Sequence, residues 1–422
     1  AGVLGGAWAG ANSGRDRLIT FDVGGTSADI GIVVDGQHSH AMSRDTWIGG
    51  QPVLVSMIDI STIGAGGGSI AYVDEGGAFQ VGPQSAGSQP GPAAYGKSGD
   101  EPTVTDANLV LGRLDKDNFL GGEMALDESA AYSVIDKLAQ SLGVETREAA
   151  EGVLTIVNSN MANAIRARTI QRGLDPREFS LVAFGGAGPL HGAEVAAMLE
   201  IPEVIIPPHP GITSSTGLLT TDLMYEQFKT EFQVQGTMDL DRLRGDFEHL
   251  EHMLIQQYAR EGLARSQVRL ARSGDLRYVG QGYELRAEIP DGHLGAEALD
   301  EVWRAFHQMH KSEYGHHFPN SLIEIVNIRV TGVGEVPGIG LPSPEFGASL
   351  DTARVKSGDC LFRVDDKLQT FETAHYRRAG LPAEVAIPGP AVILQRDTTI
   401  VVPPGWSACA ESSGNIIIRN KG

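Results

Sequence analysis

Residues 22–29 read Asp-Val-Gly-Gly-Thr-Ser-Ala-Asp, two carboxylates bracketing two glycines and two hydroxyls. Glycines in a strand-turn-strand bend let backbone N–H groups turn inward and form an anion-binding concavity. Gly24, Gly25, Thr26 and Ser27 are therefore candidate phosphate ligands. Asp22 and Asp29 flank them, suited to hold a hydrated magnesium ion or to orient an attacking water beside the phosphates. They are the candidate catalytic residues. An ordinary type I′ hairpin turn carrying polar surface residues is the competing reading.

A second glycine turn, Gly185-Gly186-Ala187-Gly188, separates an apolar strand from a helix. No acidic ribose ligand closes a following strand, so it is not a Rossmann fingerprint, and no Lys-Ser or Lys-Thr follows to make it a P-loop. An adenosine pocket lined by backbone is the functional reading left for Gly185, Gly186 and Gly188; close packing alone is the alternative. Residues 62–106 are dominated by glycine, proline and serine and predict one long ordered loop. Within it Gly66, Gly67, Tyr95 and Asp106 are candidates for contact with a substrate or a partner subunit.

Arg166, Arg168 and Arg172 lie late in a helical pattern, partly cofacial, and could neutralise phosphate charge. Surface ion pairing near the helix C-terminus is the simpler role. His307 and His310 stand at helical spacing near His316 and His317, but no carboxylate pairs with them, and no metal site is assigned.

These groups need elements to hold them. Residues 17–34 predict strand, glycine bend and strand; 127–142 and 147–171 predict helices; 179–184 and 203–206 predict buried strands either side of a helix at 192–199. Beyond residue 225 the texture changes. Helices are expected at 239–261 and 296–314, and strands at 268–278, 283–289, 323–333, 360–364 and 391–402. The domains read from this are 1–225, an α/β core, and 226–422, a β-rich α+β domain.

With 41% hydrophobic and 20% charged residues the 422-residue chain has the make-up of a folded globular protein, long enough for two domains. A net charge of −20 excludes a nucleic-acid or anionic-membrane surface, so an anionic ligand must be held locally. Two cysteines, Cys360 and Cys409, are too few for a disulfide framework and suit a cytoplasmic setting. No apolar run is long enough to span a bilayer. Residues 1–12 read as a helix interior without a basic leader, so the chain is expected to begin inside a larger gene product.

Taken in order, 21–29, 63–69, 82–87, 90–95, 103–107 and 183–191, with 275–281 and 389–391 later, these segments resemble the hydantoinase A / 5-oxoprolinase family. The resemblance implies an actin-like, ribonuclease H-like ATPase core followed by the β-rich domain. It also implies ATP and Mg2+ as cofactors, a cyclic amide such as a hydantoin or 5-oxoproline as substrate, and a hydantoinase B-type partner subunit. Family members open with another Asp-x-Gly-Gly-Thr hairpin that is not in this sequence, which leaves room for a separate N-terminal half. The ATP-binding subunit of an acetone- or acetophenone-type carboxylase is an alternative. A nucleotide-switched binding protein of the actin and Hsp70 kind is a further one.

Overall fold

The apolar runs either side of the first glycine bend form β1 (Leu18–Val23) and β2 (Ala28–Val34), antiparallel neighbours with Asp22 opposite Asp29. The computed structural model describes residues 1–41, 47–48, 51–52, 57–292, 294–336 and 344–420. Helix α1 (Gly2–Asn12) precedes β1, and β3 (Ile60–Ile63) pairs with the outer edge of β2. A hairpin of β4 (Ser69–Val73) and β5 (Phe79–Ser85) follows, then helices α2 (Val104–Val110), α3 (Glu128–Leu142) and α4 (Thr146–Thr169). Strand β6 (Ser180–Phe184), α5 (Gly188–Met198), β7 (Glu203–Ile206) and α6 (Thr213–Leu219) complete this stretch.

Strand β6 runs parallel to β1, from Leu18 beside Ser180 to Asp22 beside Phe184, and β7 runs parallel to β6. All of β6 is buried, since helices cover both faces: α1 brings Val3 and Ala9 to one, and α4 and α5 pack on the other. An antiparallel meander on one side of the first strand and parallel strands on the other make up the actin-like core.

Contacts divide the chain into two units, Ala1–Thr220 with Ile339–Gly422, and Thr221–Gly338. The second contains β8 (Leu223–Val234), α7 (Leu240–Arg260), β9 (Val268–Tyr278), β10 (Leu285–Ile289), α8 (Ala296–Tyr314) and β11 (Ile323–Gly334). Its antiparallel sheet has the order β8-β11-β9-β10, packed on the stripe Leu243, Phe247, Leu250 and Leu254 of α7. Sheet and helices together make this unit α+β.

The rest of the 226–422 stretch behaves differently from the sequence reading. Strands β12 (Arg354–Val364), β13 (Lys367–Arg377), β14 (Ala386–Pro388), β15 (Ala391–Leu394), β16 (Thr399–Val402), β17 (Trp406–Ala410) and β18 (Ile416–Asn420) belong to the first unit. The reason is edge pairing: β18 adds antiparallel to β7, with Ile416, Ile417 and Ile418 buried, and β17 and β14 follow. Strands β12, β13, β15 and β16 form a separate sheet.

Three local readings are corrected. The 62–106 loop holds the β4–β5 hairpin and the start of α2, with Ile70, Ala71, Val81 and Val104 in the core. Its glycines mark close approaches more than open chain: a Cβ on Gly64 would lie 2.7 Å from Pro83 Cβ. The 391–402 strand is a hairpin whose turn, closed by Gln395 N–H on the Thr398 carbonyl, was spelled by a polar Gln-Arg-Asp-Thr. Helix α5 begins at Gly188 and not at 192, because Pro189 fits the first helical turn, where no N–H partner is needed.

His307 and His310 of the second unit have local partners. His307 Nδ1 accepts from the Tyr278 hydroxyl at 2.6 Å, and His310 Nδ1 donates to the His316 carbonyl at 2.7 Å.

Helix α1 meets the first unit through glycines: a Cβ on Gly5 would lie 2.1 Å from the Thr213 carbonyl oxygen. Alanine is the better helix former by about 1 kcal/mol, but overpacking against fixed backbone costs roughly 1–3 kcal/mol or more. Gly5→Ala is expected to lower the urea midpoint with m unchanged, a net loss of about 1–2 kcal/mol. A midpoint at or above the parent's would contradict the α1–α6 packing.

Candidate functional site

Because β1 and β6 are parallel and in register, the chain leaves both at the same edge of the sheet, β1 into the Gly24 bend and β6 into the Gly185 turn. The carboxyl ends of such strands are where α/β folds bind ligands. The turn is pinned to the bend: Ala187 N–H donates to the Val23 carbonyl at 2.9 Å, and Gly185 N–H to that of Pro210 at 2.9 Å. Gly185 has φ +79°, and a Cβ there would sit 2.4 Å from the Val23 oxygen, so only glycine fits.

The bend is closed by Gly24 N–H on the Ser27 carbonyl at 3.1 Å. Neither Gly24 nor Gly25 has a positive φ, which rules out the type I′ turn. The glycine-rich segment before β4 clasps it from behind: Gly67 N–H donates to Gly24 O at 3.0 Å and Gly68 N–H to Gly25 O at 2.6 Å. Among the described residues no group accepts from the N–H of Gly25, Thr26 or Ser27. A Cβ built on Gly24 or Gly25 meets nothing within 4 Å. The tip of the bend at Gly24 and Gly25 therefore borders open space.

A cavity of about 350 Å3 joins the two bends. Of the residues singled out in the sequence, Gly24, Gly25, Gly67, Tyr95 and Gly186 line it. Tyr95 stands beside Phe119, ring centroids 5.8 Å apart; burial pushes its phenol pKa up, and its hydrogen bond with Thr105 acts the other way.

Thr26, Ser27, Gly66, Gly185 and Gly188 support the bends without lining the cavity. Gly66 and Gly188 are sites of close backbone approach, where a Cβ would lie 2.7 Å from Gly24 O and 3.2 Å from Phe21 O. Asp22 and Asp29 sit one step back on the strands. Asp22 accepts from Ser214 Oγ at 3.2 Å and Asp29 from Thr62 Oγ1 at 2.6 Å. Burial raises the Asp22 pKa, the Asp29 charge adds to that, and the Ser214 hydrogen bond opposes it.

Asp106 does not reach the cavity. It is fully buried, accepting from Ala94 N at 2.7 Å, Thr103 N at 2.9 Å and Thr103 Oγ1 at 2.6 Å, a staple between the Tyr95 turn and α2. Nor do the α4 arginines: Arg168 and Arg172 both pair with Asp59, and Arg166 donates to the Met198 carbonyl. The first unit's Cys360 is buried, its thiol on the Gly112 carbonyl.

Sequence reasoning missed the far wall. The β15–β16 turn brings Gln395, Arg396, Asp397 and Thr398 to the cavity, with Thr398 Oγ1 donating to the Gly186 carbonyl at 3.0 Å and Gly211 N–H to Asp397 Oδ2 at 2.7 Å. Lys97 and Asn108 also line it. The turn residues were a legible local signal, but nothing in the sequence linked them to a glycine turn some two hundred positions earlier.

Behind Leu190, a buried relay runs from His191 to Arg113. His191 Nδ1 meets Asn158 Oδ1 at 2.8 Å, Asn158 Nδ2 donates to Glu194 at 2.7 Å, and Glu194 pairs with Arg113 at 2.9 Å. The Asn158 amide is oriented by Glu194, so His191 carries its proton on Nδ1, and its buried Nε2 has no partner. Burial first, and the Arg113 charge second, lower the His191 pKa from 6.5 to about 3.

A histidine held neutral in the fold but free to protonate when unfolded stabilises the protein fully above its unfolded pKa. That contribution is lost progressively as pH falls from 6.5 towards 3. The parent should therefore lose stability more steeply than His191→Gln over that interval in urea melts. Parallel pH profiles would show that His191 is not held neutral.

The sequence pattern of the hydantoinase/oxoprolinase family matches residues 1–227, and that of the hydantoinase/oxoprolinase C-terminal domain matches 233–414. Caprolactamase subunit alpha of Pseudomonas jessenii is 37% identical over 95% of this chain and 58% of its own length. The acetophenone carboxylase gamma subunit of Aromatoleum aromaticum is 34% identical over 99% of the chain and again 58% of its length. The crystal structure of the ATP-dependent caprolactamase from Pseudomonas jessenii superposes with a TM-score of 0.82 at 33% identity, over 99% of this chain and 61% of that one. The chain thus spans rather more than half the length of these relatives.

Proposed function

The chain belongs to the hydantoinase/oxoprolinase family, and from that premise we propose that it handles the nucleotide in an ATP-dependent enzyme that opens a cyclic amide, a lactam or hydantoin. One observation carries the reading: the bend at Gly24 and Gly25, with the Gly25 amide free of any acceptor among the described residues, lines a crevice shared with the Gly186 turn. Amides converging on open space suit phosphate oxygens, and the apolar wall of Leu114, Phe119 and Leu190 suits a base.

ATP would supply a phosphoryl group to the amide carbonyl oxygen, ending the resonance that gives an amide its rotation barrier of roughly 18–20 kcal/mol. The residues have separate tasks in this scheme. The bend's N–H groups hold the phosphates in line, and the Gly67 and Gly68 hydrogen bonds keep the bend from yielding as charge develops. Asp22 and Asp29 offer hard oxygen ligands on one face of the β1–β2 ladder. That is the donor set for a hydrated Mg2+, which takes one or two carboxylates and completes its shell with water and phosphate. Asp22, its pKa raised first by burial and further by the Asp29 charge, fits a place that gains from a cation. Lys97, exposed at the rim, adds a mobile positive charge.

Two relatives are named as subunits, which supports work alongside a partner of the hydantoinase B type. The likeness to an acetophenone carboxylase subunit supports a second reading, in which the same site activates a ketone or bicarbonate. Phosphate release measured with the partner subunit separates the two: lactam-dependent release is expected, and release requiring a ketone with bicarbonate would favour the second.

Gly25→Val puts a side chain into space the protein leaves empty. It is expected to leave thermal stability unchanged and to weaken ATP binding by about 10-fold or more, the worth of a hydrogen bond to a charged group. Equal affinity by calorimetry would remove the bend from the nucleotide site. Asp22→Asn is expected to cut lactam-dependent phosphate release by roughly 100-fold or more, with ATP binding changed far less.

A further inference from the structure

A second cavity of about 710 Å3 opens beside α1, bounded by Trp8, His209, Phe346, Arg378, Gln395 and Ser413 among others. Arg378 reaches it from the short 3₁₀ turn that follows β13. Its Nη1 donates to Gln395 Oε1 at 2.8 Å, and its Nη2 to the carbonyls of Gly414 at 2.9 Å and Ile206 at 3.2 Å. All three acceptors are neutral, and among the described residues no carboxylate forms an ion pair with this guanidinium. Among the described residues both Nη2 hydrogens are used, and one on Nη1 and the one on Nε remain.

An arginine that only braces backbone does not need a cavity in front of it, and a half-buried cation held by neutral acceptors alone is poorly compensated. Burial pushes the Arg378 pKa down, and Asp397 is the charge that acts against this from a distance. Asp397 is itself engaged by the Gly211 amide. The guanidinium keeps its proton all the same. Trp8, Phe346, Pro208 and Pro344 give the cavity an apolar part beside the polar Asn12, His209, Ser412 and Ser413, and Glu345 in the lining disfavours a doubly charged guest.

We propose that this cavity binds a small monocarboxylate with a flat or apolar body, its carboxylate paired with Arg378 and its body against Trp8 and Phe346. The geometry is independent of the nucleotide reading, since it rests on Arg378 and its neutral brackets. Gln395 lines both cavities, so an occupant here would also bear on the turn that closes the first one.

Benzoate tests this, with benzamide as its neutral counterpart and inorganic phosphate as a second anion. In the parent protein benzoate is expected to give a saturable quench of tryptophan emission and a rise in melting temperature. Its affinity should exceed that of benzamide by about 10-fold or more, as for a charge-assisted pair. Trp8→Phe should lose most of the quench while keeping the thermal shift. Ala379→Glu, at an exposed position on the rim, sets a carboxylate beside Arg378 and should abolish the benzoate response without removing the arginine. Equal responses to benzoate and benzamide, a benzoate titration unchanged in Ala379→Glu, or stabilisation by phosphate alone would each overturn the proposal. The comparison of ligands on the parent protein needs no variant to fold.

Discussion

The parallel register of β1 against β6 is the constraint from which the candidate site follows. With Asp22 beside Phe184, the residues after each strand emerge at one edge of the sheet, and two glycine turns some 160 positions apart become neighbours. A slip of one residue would turn every side chain of a strand to the opposite face. The register is held against such a slip because both faces are buried, Phe21 and Val23 packing with the α4 and α5 layer and Leu18, Val182 and Phe184 with α1. The glycines of α1 serve the same end. They bring the helix close enough that Gly6 and Gly10 lie against Thr20 and Leu18.

Around that junction the site is stiffened by hydrogen bonds between backbones and not by large side chains. The Gly67 and Gly68 amides hold the bend from behind, the Ala187 amide ties the turn to β1, and Thr398 fastens the later hairpin to Gly186. Asp106 and the His191 relay sit one layer further out. Each is a fully satisfied or nearly satisfied polar group in a dry place, where breaking one partner costs more than the bond contributes. This division leaves the amides at the bend's tip free while everything that positions them is fixed.

The return of 339–422 to the first unit changes what that unit is. Its edge at β7 would otherwise expose unpaired strand; β18 covers it with a run of isoleucines. The same segment delivers the turn that walls the first cavity and the arginine that faces the second. A change in texture near residue 225 was legible, and it does mark where the second unit starts. The point of return was not, because a strand that extends a distant sheet has the same local pattern as one that builds its own.

By itself the sequence determined the chemistry available at the two bends, the helices at 127–142, 147–171, 239–261 and 296–314, and the family likeness. Those depend on glycine conformation, periodicity and capping, all of which act over a few residues. Only the tertiary structure decided which polar residues face the crevice. Asp106 is drawn inward by three donors, Arg168 and Arg172 are spent on Asp59, and Gln395 to Thr398 arrive from the far end of the chain. A side chain's role there is fixed by partners brought near through strand register, and register is a property of the folded sheet that no short window of sequence contains.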